Sequence, residues 1–277
     1  MRSRSFLLIP MLVGALVLGA CGDDGDSDEG SDTTGGDTGN EQAIELPDGV
    51  SLVNDGQLTV CSDMPYKPFE FEEDGKVQGF DYEVVSAMAD QLGLDVEFRT
   101  TPFDSIIPAL AAGECDMIAS AMTITDERAE QVDFTEAYFD ADQSLLIRAE
   151  DEGTISSLED LAGKNIGVQV ETTGATYAEE NKPEGATIRA FQTGDEMFPA
   201  LLSGDLDAAL QDFPVNAYRA SQSDEFVVTE TFPTGEQYGF AVAKDSELLA
   251  PLDEALAAIR DDGTYDEIFA TWFGEQN

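Results

Sequence analysis

One thirteen-residue pattern occurs twice in this chain, and it limits the available folds more than any other feature. Asp104-Ser-Ile-Ile-Pro108-Ala-Leu-Ala-Ala-Gly113-Glu-Cys-Asp116 and Asp195-Glu-Met-Phe-Pro199-Ala-Leu-Leu-Ser-Gly204-Asp-Leu-Asp207 both read Asp-x-x-x-Pro-Ala-Leu-x-x-Gly-x-x-Asp, 91 residues apart. The leading Asp suits the positive end of a helix. Pro belongs in or near a first turn, where its missing N–H matters least. Gly closes a helix in a left-handed cap. A short apolar strand follows each copy, at 117–119 and 208–210. The rest of the chain alternates in the same way. Strands are expected at 58–61 and 96–99 around a helix over 81–92, whose Val84, Val85, Met88 and Leu92 share one face. The second half repeats this, with strands at 165–169 and 187–191 around a helix over 173–181. Such alternation implies an α/β fold of two similar lobes, each a mostly parallel sheet with helices on both faces. A length of 277 residues also fits two domains of about 150.

Composition removes whole classes of function. The chain carries 58 Asp+Glu against 13 Lys+Arg and no His, a formal charge of −45. Nothing here could neutralise a phosphate backbone, so nucleic acid is not a partner. Without imidazole there is no Ser-His-Asp triad, no His metal ligand and no His proton shuttle. Three cysteines are too few for a four-thiolate zinc site. No metal or cofactor is expected.

The N-terminus reads as an export signal. Arg2 and Arg4 precede an apolar run over 6–18, broken by Pro10 and Gly14 and too short to span a bilayer comfortably. It ends in Leu18-Gly-Ala-Cys21, which resembles the lipobox of bacterial lipoproteins. That resemblance implies a signal peptide over 1–20, lipidation at Cys21 and anchoring to the outer face of the cell membrane. Residues 21–47 are acidic and almost free of large apolar side chains, so they are expected to be a disordered tether. Asp24, Asp26 and Asp28 alternate as in a calcium loop. Glu29 stands where that loop wants Gly, and Gly35 where it wants Glu, so the acids read as solvating spacer.

Two α/β lobes leave a cleft, and ligands of open parallel sheets lie beyond the carboxyl ends of the strands. Those ends place Asp63, Ser120, Ala121, Gln169, Thr172, Thr173 and Asp212 at the cleft. Thr125 is a good N-cap, which puts Arg128 in the first turn of a short helix, near Thr123. Its planar fork suits a carboxylate, and free amides at helix starts help to hold an anion. Asp212 can accept from an ammonium on the opposite wall, with Asp63 as a second acceptor. Tyr66, Phe69 and Phe103 offer aromatic walls for an alkyl stem or a cation. Together they describe a receptor for a zwitterion. The competing readings are a surface ion pair of Arg128 with Glu127 or Glu130, and a helix-capping role for Asp212 ahead of Pro214.

Leu58-Thr-Val-Cys-Ser-Asp63-Met-Pro-Tyr66-Lys-Pro-Phe69-Glu-Phe71, Gly79-Phe-Asp-Tyr-Glu83, Ile124-Thr-Asp-Glu-Arg128 with Val132-Asp-Phe134, and the ending Asp262-Gly-Thr-Tyr-Asp-Glu-Ile-Phe-Ala-Thr-Trp272-Phe-Gly all resemble family 3 extracellular solute-binding proteins. These are the amino-acid receptors of ABC importers, such as histidine- and glutamine-binding proteins, and the likeness runs over roughly 55–274. The resemblance implies that Arg128 binds the α-carboxylate and Asp212 the α-ammonium of a free amino acid. It gives Ser120, Ala121, Thr123 and Thr173 main-chain or hydroxyl contacts, and Tyr66, Phe103 and Asp63 the remaining walls. It also implies a periplasmic-binding-protein-like (type II) fold with a two-strand hinge near 140–146 and 236–243. Lobe one is then 48–140 plus 236–277, and lobe two is 141–235. The expected partner is the ABC permease of the importer, with the receptor itself a monomer. Two departures matter. Glu171 stands where the family usually has Gly, and Gln169 where some relatives carry a base. Asp63, Gln169 and Asp212 favour a neutral polar or basic amino acid, since a second ligand carboxylate would lack a partner. Alternatives on the same scaffold are a cyclohexadienyl-dehydratase-like enzyme and a ligand sensor.

Cys61 and Cys115 fall on neighbouring strands with a stagger of about three residues at ~3.3 Å each, too far for a bridge. They are expected as two reduced, buried thiols.

Overall fold

The computed structural model describes residues 44–274. The expected signal peptide, Cys21 and the tether as far as residue 43 lie outside the described residues. Packing begins inside the segment read as tether. Ile44 and Leu46 lie against the core of the first sheet, and the Ile44 amide donates to Gln91 O at 2.8 Å. Two apolar side chains in an otherwise polar stretch account for this.

The first part of the chain forms β1 (Gln57–Ser62), the hairpin β2 (Phe71–Glu73) and β3 (Lys76–Gln78), α1 (Phe80–Leu92), β4 (Asp95–Thr100), α2 (Phe103–Ala111), β5 (Met117–Ile118), α3 (Asp126–Ala129) and β6 (Val132–Phe134). A long β7 (Phe139–Arg148) leads into β8 (Asn165–Gln169), α4 (Thr173–Asn181), β9 (Thr187–Phe191), α5 (Met197–Ser203), β10 (Ala208–Asp212) and α6 (Phe213–Gln222). The chain returns through β11 (Phe226–Tyr238) and β12 (Ala241–Ala243) and ends in α7 (Leu249–Asp261) and α8 (Thr264–Phe273).

The strands form two five-stranded sheets, ordered β4-β1-β5-β12-β6 and β9-β8-β10-β7-β11. The two orders match position for position. In the first, β4, β1 and β5 run parallel and β12 runs against both its neighbours. In the second, β9, β8 and β10 run parallel and β7 runs against both of its neighbours. The molecule is thus a two-lobed α/β protein with one reversed strand in each sheet.

The repeated motif does the same structural work in both lobes. Gly113 and Gly204 adopt φ of 73° and 81°, the left-handed region open to glycine. The chain then turns back on itself, with Glu114 N donating to Ala109 O (3.1 Å) and Asp205 N to Ala200 O (3.0 Å). The closing aspartates hold β1 in one sheet and β8 in the other. Asp116 accepts from Thr59 N at 2.7 Å, and Asp207 from Asn165 N at 2.8 Å. The leading aspartates are not caps. Pro102 starts α2 one residue early, so Asp104 sits in the first turn and Pro108 in the interior. Asp195 lies in a short 3₁₀ turn, Gly194–Glu196, ahead of α5.

Cys61 and Cys115 are not free thiols; they form a disulfide with Cα atoms 5.7 Å apart. The expected stagger assumed that residues 115–118 run straight. Instead only Met117 and Ile118 pair with β1, opposite Val60 and Cys61. The chain arriving from the Gly113 turn bends at Asp116 and brings Cys115 beside Cys61, among Ile106, Leu110 and Met122.

The chain passes between the sheets twice, through 135–139 and 238–241. The passages are tied together by Tyr138 N to Tyr238 O and Thr135 N to Phe240 O, both 2.9 Å. Stacked Tyr138 and Phe240 rings, with centroids 4.0 Å apart, stiffen this junction. The helices α7 and α8 pack on the core of the first sheet through Leu252, Leu256, Ile259 and Ile268.

Candidate functional site

The carboxyl ends of β1, β5, β8 and β10 converge on one narrow cavity. Asp63, Tyr66, Phe103, Ser120, Ala121, Thr123 and Arg128 line it from one side; Gln169, Thr172, Thr173 and Asp212 line it from the other. Of the twelve residues singled out from the sequence, these are eleven. Phe69 is not among them. It is fully buried behind the site, against Phe80, Phe139 and Tyr238.

Arg128 is positioned by its short helix. Thr125 caps α3, its Oγ1 accepting from Arg128 N at 3.2 Å. The guanidinium donates from Nη1 to Thr123 O (2.8 Å) and from Nη2 to Glu171 O (2.9 Å), and lies 5.1 Å over the Phe103 ring. It makes no ion pair with Glu127 or Glu130. Burial pulls its pKa below the ordinary value, opposed by the charges of Asp212 and Glu236.

The bond from Arg128 to Glu171 crosses the cleft and explains the departure at that position. Glu171 adopts φ 58°, a conformation that glycine takes without strain. Its carbonyl turns towards Arg128, while its side chain lines an outer cavity at the cleft mouth. Ala121, at φ 43°, is the matching strained residue on the other wall. Strain of this kind gathers at functional sites, where the surroundings hold it in place.

Asp212 caps α6 by position, but its side chain makes no capping bond. The carboxylate accepts from Tyr238 OH (2.6 Å), Tyr66 OH (2.8 Å) and Gln143 Nε2 (2.5 Å). Burial raises its pKa, against the pull of the two tyrosine hydrogen bonds. At the other end of the cavity, Gln169 Nε2 donates to Asp63 Oδ2 at 2.6 Å, again across the cleft. Burial pushes Asp63 up to about 6, with Gln169 partly offsetting it and Asp104 adding to it. Thr172 caps α4 through Ala175 N at 3.1 Å, and Thr173 opens that helix.

Several residues behind the lining were not singled out from the sequence. Ser120 Oγ donates to Glu70 Oε1 and accepts from Asp63 N, both at 3.0 Å. Asp81 accepts from Ala121 N at 2.9 Å and from Tyr138 OH at 2.8 Å. Both acids are fully buried. Burial, with Asp81 nearby, pushes Glu70 well above the usual carboxylate range, and burial lifts Asp81 to about 7. Gln143 and Tyr238, both fully buried, hold the Asp212 carboxylate from behind, and Glu236 lines the outer cavity. The signal for Glu70 and Asp81 was their place inside apolar runs, beside Phe69, Phe71 and Phe80. Among the described residues no cluster of acids or thiols is arranged to hold a metal.

Chemically, the cavity offers a guanidinium at one wall, a carboxylate at the other and a second acid beyond. Among the described residues, Arg128 is the only base in its lining.

Comparison with known proteins bears on the fold and the family. The family profile for bacterial extracellular solute-binding proteins, family 3, matches residues 58–275. The arginine-binding extracellular protein ArtP of Bacillus subtilis is 34% identical over 227 residues, covering 78% of this chain and 86% of that protein. A solved ancestral arginine-binding protein bound to arginine is 39% identical, with a TM-score of 0.74 over 79% of this chain and 99% of that one. The ancestral amino acid-binding protein AncCDT-1, a precursor of cyclohexadienyl dehydratase, is 41% identical with the same TM-score, over 79% of this chain and 96% of that one. With a matched motif set, a matched fold and a profile spanning nearly all the described residues, this chain belongs to the bacterial extracellular solute-binding proteins of family 3.

Proposed function

We propose that this protein is the substrate-binding component of an ABC importer, closing two lobes on a free amino acid and preferring a basic one such as L-arginine. One observation carries the reading: Arg128 and Asp212 face a single small cavity from opposite walls. They match the carboxylate and ammonium ends of an amino acid. Asp63 beyond them supplies an anion for a cationic side chain, and a second ligand carboxylate would find no base. Relatives whose names specify arginine support the same class.

Lobe one comprises 48–140 and 236–277, lobe two 141–235, and the paired passages are the hinge. Solute bridges the lobes and stabilises the closed form that a permease reads. A micromolar site needs about −8 kcal/mol net of closure costs. Lipid at Cys21 anchors a monomer outside the cell, where family 3 proteins act. The relatives named above as binding proteins favour binding over catalysis. Glu171, the acid out of family pattern, lines the outer mouth and not the cavity.

A thermal-shift screen of the common amino acids tests the proposal, because solutes that bind the native state raise its melting point. L-arginine and L-lysine should raise Tm, and L-glutamate should not. If no amino acid raises Tm, the reading fails.

A further inference from the structure

Glu236 belongs to none of the strand ends that build the cavity, yet it touches both sides of the cleft. It stands on β11, where pairing with β7 resumes after a break in register following Phe232, with Glu236 opposite Ala141. One carboxylate oxygen, Oε2, accepts from Thr173 Oγ1 at 2.7 Å, Gln143 Nε2 at 3.1 Å and Thr123 Oγ1 at 3.2 Å. Thr123 follows β5 in the first lobe and Thr173 opens α4 in the second. Their hydroxyl oxygens are 3.4 Å apart. The Arg128 guanidinium lies within the field of the same carboxylate.

Two hydroxyls, a helix start and a neighbouring guanidinium are also what a solute carboxylate would use. A hydroxyl has one proton to donate. While Thr123 and Thr173 donate to Glu236, they cannot donate to a solute. A solute carboxylate placed beside Glu236 would also meet a like charge in a partly desolvated site.

We propose that Glu236 is a latch: a carboxylate just ahead of the hinge passage that ties Thr123 of one lobe to Thr173 of the other and yields those hydroxyls to the carboxylate of an entering solute. The latch favours closure by itself and competes with binding. It therefore sets the apparent affinity, by fixing how often the hydroxyls are free. The closure half of the inference stands on the hydrogen bonds alone. The competition half rests on the proposed amino-acid function.

The test uses the full chain with Glu236→Ala, which removes the acceptor, and Glu236→Gln, which keeps its shape and an oxygen but loses the charge. Circular dichroism establishes that both fold. Small-angle scattering without added solute should give a larger radius of gyration for E236A than for wild type, with E236Q between them, and saturating L-arginine should remove the difference. Calorimetric titration should show L-arginine binding tighter by about threefold or more in both variants. Scattering identical to wild type in both folded variants would overturn the latch. Weaker L-arginine binding in both would overturn the competition, making Glu236 a support for the solute. If wild type binds no amino acid, the functional reading fails, while the scattering comparison still decides the latch.

Discussion

Arg128 has little freedom to wander. Both terminal nitrogens are spent on main-chain carbonyls, one from each lobe, and the guanidinium plane lies over Phe103. The backbone therefore sets where the charge sits, and the guanidinium has little entropy left to lose. Arg128→Ala is expected to weaken L-arginine binding by about 2–5 kcal/mol in calorimetry, because it leaves a desolvated carboxylate unpaired. Unchanged affinity would remove Arg128 from the site. Asp63 gives the second prediction at this scale. With its pKa near 6, it is mostly ionised at pH 7 and mostly protonated at pH 5. A cationic side chain needs the ionised form, so affinity for L-arginine should fall on acidification from pH 7 to 5, and Asp63→Asn should abolish that dependence. The lining residues were legible because strand ends and caps are local signals. Glu236 was not, since its partners lie 63, 93 and 113 residues away along the chain. Glu70 and Asp81 were hidden among 58 acids, most of them unremarkable in a chain this charged.

At the level of elements, the repeat told the truth about turns and strands and less about helix starts. Gly113 and Gly204 end their helices in the same conformation, and a Cβ at either would meet open space. The cost of Gly113→Ala or Gly204→Ala is then backbone strain alone, about 1 kcal/mol each in denaturant unfolding. A much larger loss would mean that packing, and not φ, selects glycine there. The disulfide closes a separation of 54 residues and ties β1 to the turn ahead of β5. In the chain-entropy account a loop of this size is worth about 4 kcal/mol, so Cys61→Ser with Cys115→Ser should lower stability by roughly that much. An equal midpoint for oxidised and reduced protein would refute it. Register arithmetic missed the bridge because it treats a strand as straight up to its first residue. The bend at Asp116 is fixed by its bonds to Thr59 and Val53, which sequence spacing does not encode.

For the molecule as a whole, buried acids couple stability to pH. Asp63 and Asp81 have folded values near 6 and 7, above the unfolded carboxylate value of about 3.9. Between those limits the folded chain holds protons that the unfolded chain releases. Their contribution to stability is therefore full below pH ~4 and is lost as pH rises through 6 and 7. Melting temperature should fall from pH 5 to pH 8, and Asp81→Asn should flatten that slope. The formal charge of −45 acts in the same direction, since acidification relieves self-repulsion. A Tm that climbs with pH over this range would contradict the assignment.

The segment from Ile44 and the closing helices α7 and α8 both rest on the core of the first sheet. A force applied at either end of the fold is therefore borne by one jaw. The other is covalently joined to it by two adjoining crossings, so a load between the two ends of the fold need not pass through it.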